Sequence, residues 1–263
     1  MITIFTTIFF ILGLIIGSFL NVVILRLNTE RSFGGRSGCM TCMNKLSWYE
    51  LIPVFSFLGL RGRCKKCKAK ISIQYPIVEL ITGFIFAALF LKFQNTFFYG
   101  QSLIFSFTYA YYAAVFSLLL VIAVYDIRHK IIPDTLSIAL GILAFVGLFF
   151  FNSSGFYLHV PSVWEFASGL FIAAPFALFW LVSSGRLMGL GDAKLAISLG
   201  WLLGLSRAFS GVVVAFWIGA VVGIALVIFS KKHGMKSEIP FAPYLVLGTL
   251  IAFLFELHLF WFS

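Results

Sequence analysis

The sequence predicts an all-α polytopic membrane protein with about eight transmembrane helices and one small polar insertion after the first of them. Three observations carry that prediction. The chain is 61% hydrophobic and only 11% charged, its mean hydropathy is +1.06, and its apolar residues gather in long runs. A helix needs roughly 20 mostly apolar residues to cross a bilayer. A soluble domain of 263 residues needs far more polar surface than this composition offers.

The runs fall at 2–25, 77–93, 103–125, 133–151, 163–184, 193–205, 207–230 and 241–262. The first has no basic leader and no small-residue cleavage site, so it reads as a retained span rather than a removable signal peptide. The run at 193–205 has about two-thirds of the usual length and reads as a half-helix or re-entrant piece, whose loose end its neighbours must cover. Basic residues orient the weave, because loops rich in lysine and arginine stay in the cytoplasm. Ten of the 19 lie between Arg26 and Lys70. With Arg128, Lys130, Arg186, Lys194, Lys231, Lys232 and Lys236 they fall on one side, and only Lys92 and Arg207 fall on the other. Both termini are therefore expected outside the cytoplasm. The formal charge of +10 is read as attraction to anionic membrane lipids in preference to nucleic acid, since no single-sign run is interleaved with stacking aromatics.

The polar insertion, residues 26–76, holds all four cysteines as two C-x2-C pairs, Cys39 with Cys42 and Cys64 with Cys67, separated by 21 residues. Two such knuckles supply four thiolates for a tetrahedral metal, close to the spacing of a zinc ribbon, so a small cytoplasmic zinc-ribbon-like insertion is predicted. Two disulfides are the alternative, disfavoured in a reducing cytosol. Lys65, Lys66 and Lys68 would help stabilise the thiolates, and Gly38, Gly59 and Gly62 permit tight turns. Four sulfur ligands leave no open position for water, so the zinc is expected to hold the fold.

Of nine acidic residues, Glu30 and Glu50 lie in the insertion, Glu165 and Glu238 near span ends, and Glu256 within the last run. Glu79, Asp126, Asp134 and Asp192 remain, all at cytoplasmic helix ends. Asp126 follows eight residues, Leu118–Tyr125, without a charge. A charged Asp at a helix centre costs about 2.5–3.5 kcal/mol and less near the interface, so a retained one is a functional candidate by default. Asp134 follows Pro133 and reads as a helix N-cap. Asp192 follows Gly189 and Gly191, which allow positive backbone dihedrals and close approach of another chain. Two carboxylates at one depth on different helices suggest a dyad in which one acid is charged and the other protonated. Such a pair activates water against a peptide carbonyl and then protonates the leaving amine. The histidines at 129, 159, 233 and 258 are scattered, and no GxSxG nucleophile motif occurs. A transporter would spread its acids through the bilayer depth, whereas only Glu256 lies deep here. A noncatalytic assembly subunit would tolerate replacement of both aspartates.

The blocks "DIRHKIIPD" (126–134) and "GLGD" (189–192) resemble those of the type IV prepilin peptidases, membrane aspartic proteases with a GxGD motif. The likeness extends in order through "GSFLNVVILRL" (17–27), "SWYELIPVFSFLGLRGRC" (47–64), "ISIQYPIVELITG" (71–83) and "GLGDAKL" (189–195), the last containing Lys194. The resemblance implies a bacterial inner-membrane enzyme that cuts the basic leader from prepilins or pseudopilins on the cytoplasmic side, after glycine and before phenylalanine. It implies Asp126 and Asp192 as the catalytic pair. The cysteine segment implies a second activity, methylation of the new amino terminus by S-adenosylmethionine. It divides the chain into a first helix (1–25), a cysteine segment tied to methylation (26–76) and a peptidase core (77–263). "CMTC" departs from relatives that carry proline or histidine between the first cysteines, neither of which would be a ligand. A presenilin-type protease shares GxGD but leaves the cysteines unexplained.

Methyl transfer has no separate support in the residues. "FGGRSG" (33–38) follows no strand and opens no evident helix, so it is no Rossmann site and reads as a lead-in to the first knuckle. Glu79 either complements a helix dipole or pairs with Arg26, or else binds the substrate amine or the methyl donor. Asn21 either glues helices together or serves the site. Gly189, Gly191, Lys194, Glu79, Asn21 and Asp134 stand as supporting candidates.

Overall fold

The computed structural model describes every residue except 30, 31, 33, 36, 153, 154, 187, 230–238 and 260–263. Helix α1 spans Ile2–Arg26; a 3-10 turn, Trp48–Leu51, and the short α2, Phe55–Gly59, lie in the insertion; α3 covers Gln74–Phe98 and α4 Ser102–His129. Then follow α5 (Asp134–Phe150), a two-residue antiparallel ladder of β1 (Phe151–Asn152) with β2 (Gly155–Phe156), α6 (Val163–Ser183), α7 (Leu190–Leu203), α8 (Leu205–Phe229) and α9 (Ala242–Leu254). Eight helices thus occupy the eight apolar runs. Five of them, α1, α3, α4, α6 and α8, are long and apolar enough to cross a membrane, while α5 and α9 are shorter apolar helices.

The last run is shorter as a helix than as a sequence. Helix α9 stops at Leu254, and Glu256, expected inside a span, is exposed in the turn beyond it with φ of 52°. The basic residues Lys231, Lys232 and Lys236, with His233, Glu30 and Glu238, lie outside the described residues.

The chain divides into two compact units, Met1–Phe105 and Ser106–Ser263. In the first, α1 and α3 run antiparallel with their backbones in near contact. A Cβ added at Gly13 would sit 2.7 Å from the Cα of Gly83, and one at Gly17 would sit 2.8 Å from the Cα of Glu79. Small residues four apart let two helices approach this closely, which matters where lipid competes equally well for apolar side chains. Asn21, fully buried, donates from Nδ2 to the carbonyl of Tyr75 at 3.1 Å and so bonds α1 to the start of α3. At the far end Phe5, Phe9, Phe90, Phe97 and Phe105 pack edge-on or stacked.

In the second unit α6 and α7 are antiparallel, α5 and α7 parallel, and α8 and α9 antiparallel. Helix α6 begins with a capping box in which Ser162 N–H donates to Glu165 Oε2 at 2.7 Å and Glu165 N–H donates to Ser162 Oγ at 3.3 Å, an ordinary structural duty for that acid. A Cβ at Gly200 would lie 2.6 Å from the Cα of Gly169 and 2.7 Å from the carbonyl oxygen of Ser168. Ser168 Oγ donates to the Gly200 carbonyl at 2.9 Å, and Trp201 Nε1 to that of Phe166 at 3.0 Å. Gly248 meets the backbone of Gly211 in the same manner. Helix α7, at 14 residues and about 21 Å, is held by neighbours through contacts that leave no room for a side chain.

Replacing Gly200 with alanine forces α6 and α7 apart and should destabilise the protein by about 1–3 kcal/mol. Gly141→Ala, where the new Cβ meets only Ser198 Oγ at 3.5 Å, should stay within about 0.5 kcal/mol of the parent or gain helix propensity. Thermal or denaturant unfolding in detergent, comparing the two variants, measures the difference.

Candidate active site and metal centre

Asp126 lies in the last turn of α4, after three turns of buried apolar residues that hold that end of the helix in place, and is 5% exposed. Its Oδ2 accepts a hydrogen bond from the backbone N–H of Ala242, the first residue of α9, at 3.3 Å. The N–H groups of a helix's first turn have no intrahelical partner, so α9 presents a ready donor and its positive dipole end to this carboxylate. Sequence reading missed α9 as part of the site. The available signal was "FAPY" (241–244), where Pro243 marks a helix start.

Asp192 is the third residue of α7 and is 9% exposed. Its carboxylate accepts from the N–H of Gly189 and lies within electrostatic reach of Asp126. Its Oδ1 is buried and takes no hydrogen bond from any described residue. The structure therefore brings together two buried carboxylates from segments 66 residues apart by number (192 − 126), both at the same end of the second unit. The glycines before Asp192 behave differently from expectation. Neither has positive φ: Gly189 is extended at φ −76°, where an added Cβ would make only ordinary contacts, at 3.9 Å from Asp192 Oδ2 and the Gly191 nitrogen, and Gly191 is helical. Gly191 does provide close approach, because a Cβ there would meet Ile132 Cβ at 3.0 Å. The "IIPD" link thus seats directly on the "GLGD" turn.

Asp134 is not the N-cap of α5. Pro133 holds that position with no side-chain bond, and Asp134 is the first helical residue. Its carboxylate accepts from Lys194 Nζ at 2.6 Å, an exposed ion pair joining the starts of α5 and α7. Lys194 thus has a structural partner two residues beyond Asp192.

In the first unit Glu79 is buried in the second turn of α3, past the first-turn position that would complement the dipole, and does not use Arg26. Arg26 donates to the carbonyls of Ser32 and Gly34, while Glu79 Oε2 accepts the N–H of Val54 at 2.7 Å, with the Ser18 hydroxyl as a further donor. Val54 holds φ 61°, a costly conformation for a β-branched residue, at the start of α2.

The two cysteine pairs form the same turn twice. Cys39 N–H donates to the Asn44 carbonyl and Met43 N–H to that of Cys39; Cys64 N–H donates to the Ala69 carbonyl and Lys68 N–H to that of Cys64. The residue after each second cysteine, Met43 and Lys68, has positive φ, and isolated bridges Gly38 with Lys45 and Arg63 with Lys70 close both turns. Of the three glycines expected to serve turns, only Gly62 is left-handed. The four cysteines are free thiols, and their sulfurs all lie within 4.8 Å of one another, Cys39 and Cys67 at 3.7 Å. Four thiolates about 2.3 Å from one tetrahedral ion stand about 3.8 Å apart, so the set is positioned to bind a metal. The backbone N–H groups of Cys42 and then Thr41 hold the Cys39 thiol down at about 6, favouring the thiolate that a metal requires.

The model of the Bacterial Peptidase A24 N-terminal domain matches residues 11–93, and that of the Type IV leader peptidase family matches residues 113–228. The chain is 36% identical over 243 residues to a prepilin leader peptidase/N-methyltransferase of Myxococcus xanthus, covering 89% of this chain and 67% of that protein. It is 33% identical over 254 residues to the prepilin leader peptidase/N-methyltransferase of Bacillus subtilis, covering 95% and 94%, and 32% over 271 residues to that of Xanthomonas campestris, covering 92% and 88%. No solved structure matches.

Each of Cys39→Ser, Cys42→Ser, Cys64→Ser and Cys67→Ser should lower metal affinity by more than the ~10–100-fold that loss of an outer-sphere partner costs. Metal content of the purified chain by mass spectrometry checks this. Asp134→Asn, which breaks an exposed pair, should change stability by no more than about 1 kcal/mol.

Proposed function

The chain belongs to the type IV leader peptidase family, and on that premise we propose that it cuts the basic leader from membrane-anchored prepilins or pseudopilins, after glycine and before phenylalanine, with Asp126 and Asp192 as the catalytic pair. The observation that carries this reading is the meeting of these two buried carboxylates, one bonded by the start of α9 and the other with an oxygen left open. In this reading the two carboxyl groups face each other in a water-poor site and hold one proton between them, so that titration belongs to the pair rather than to either acid. The ionised partner takes a proton from water as its oxygen adds to the scissile carbonyl. The protonated partner donates to the developing oxyanion, and the collapsing intermediate releases the amine with a proton from the dyad. No covalent enzyme intermediate is required. The exposed Asp134–Lys194 pair steadies the two helix starts that carry the motif blocks and takes no proton in this scheme.

Zinc is the metal we assign to the cysteine centre. Four thiolates select a soft or borderline ion, and a closed tetrahedral set holds structure rather than activating water. The excess of lysine and arginine at 26–70, with Arg128, Lys130, Arg186 and Lys194, supports an orientation in the bacterial inner membrane that turns both the cysteine segment and the dyad end toward the cytoplasm. A leader rich in basic residues would be held on that side by the same rule.

Methylation of the released amino terminus by S-adenosylmethionine follows from the family and from the names of the relatives. The residues do not mark out a site for the donor. The polar hollow in the first unit is lined by Arg61, Arg63, Lys65 and Lys68, which suits a sulfonium poorly, and the Glu79 carboxylate already accepts from Val54 and Ser18.

Asp126→Asn and Asp192→Asn should each lower prepilin cleavage by at least about a thousandfold while the chain still inserts and keeps its metal, and Asp134→Asn should retain most activity. Incubating the enzyme with a prepilin and labelled S-adenosylmethionine, then weighing the product, reads leader loss and methyl gain as separate mass changes. Normal cleavage by either dyad variant overturns the assignment, and leader loss without methyl gain removes the second activity.

A further inference from the structure

The insertion carries large apolar side chains that are exposed among the described residues, and a cluster of cations beside them. Trp48 is 78% exposed, Phe55 69% and Leu58 64%. Phe55 and Leu58 are three apart and share one face of α2. Immediately after α2 comes a hollow of about 610 Å³ lined by Gly59, Leu60 and four cations, Arg61, Arg63, Lys65 and Lys68, with no acid among the described residues of its wall. The nearest acid in sequence, Glu50, accepts from the Ser47 backbone in a capping box and lies outside that wall. Lys65 is steadied by donating to the Tyr49 hydroxyl at 3.0 Å and lying over its ring.

Where this face sits relative to the membrane follows from one hydrogen bond. The start of α2 is tied at Val54 to Glu79, which lies five residues inside α3, a helix that crosses the bilayer. Five residues of helix are about 8 Å, and six residues from Val54 to Leu60 reach about 9 Å at most along a helix. The tether therefore keeps α2 close to the level at which α3 enters the bilayer, beside the headgroup layer, which is several ångströms deep on each side of the hydrocarbon, and the cations follow directly on from α2.

We propose that the Trp48–Lys68 stretch docks onto the anionic surface of the bilayer, with Trp48, Phe55 and Leu58 among the acyl-chain boundary and the four cations on lipid phosphates. Apolar anchors next to Lys and Arg are what interfacial binding requires, and Trp is at home at headgroup depth. Each cation near a negative leaflet adds severalfold to the attraction. The cysteine turns, which contain Lys65 and Lys68, are thereby held flat against the membrane. The inference is independent of the catalytic assignment, because it uses only residues of the first unit.

The test uses the full chain in lipid nanodiscs, with the photocrosslinking analogue p-benzoylphenylalanine replacing Phe55. The discs contain phosphatidylcholine alone or mixed with phosphatidylglycerol. After irradiation, intact mass should show lipid adducts in both, with the anionic lipid captured well above its share of the mixed bilayer. Arg61→Gln and Arg63→Gln should each lower that enrichment by roughly fivefold. Amide exchange across residues 54–62 should be slower in the anionic discs than in the neutral ones. Absence of lipid adducts, capture at the bulk lipid ratio regardless of the arginines, or exchange that ignores lipid charge would each overturn the proposal.

Discussion

Backbone-to-backbone contact between helices is the constraint on which the rest of this structure depends. Lipid solvates apolar side chains as well as protein does, so hydrophobic burial alone gives two spans little reason to pair. Here pairing is won by proximity. Gly13 and Gly17 against Gly83 and Glu79, Gly200 against Gly169, and Gly248 against Gly211 leave distances that no Cβ can occupy. Dispersion contacts accumulate along such seams, and hydrogen bonds such as Ser168 Oγ to the Gly200 carbonyl fix their register. Asp192 inherits its position from one of them. Helix α7 is too short to be oriented by the bilayer, so Asp192 is placed by the seam with α6 and by Ile132 seated on Gly191.

The same logic explains how polar groups persist at these depths. Asp126 is met by the first peptide of α9, Asn21 bridges to the Tyr75 carbonyl, and Glu79 takes the Val54 amide. In each case a backbone group from another element supplies the bond. A helix start is the cheapest source of such a donor because its amides have no competing partner. Asp192 keeps one oxygen without a donor among the described residues, as Asn21 does, which for a carboxylate is tolerable at a place where water or substrate arrives.

Much of the architecture was legible in the sequence because its signals are local. Eight apolar runs became eight helices among the described residues, five of them at the length that a fixed thickness of hydrocarbon sets, and paired C-x2-C spacing became two matching turns, since the ligand geometry of a metal leaves few backbone solutions. The candidate acids were legible as well: a charge ending a long apolar run is conspicuous. What could not be read were interactions between distant segments. The roles of Ala242, of Lys194 opposite Asp134, and of Val54 above Glu79 depend on tertiary neighbours, and the expected N-cap at Asp134 failed because Pro133 takes that position and the helix begins at Asp134 itself. Glu256 was misplaced because hydrophobicity continues past the point where the α9 backbone turns.

The bond from Val54 to Glu79 has a consequence for thermodynamic linkage. It crosses from the metal-binding segment to the wall of a spanning helix, so the two share a free-energy term. Lifting the segment away would take from a buried carboxylate one of its two donors, a loss on the order of 1 kcal/mol. A metal that favours the seated state of the segment would by reciprocity reinforce the α1–α3 pair, and anything loosening that pair would weaken the grip on the ion by an equal factor.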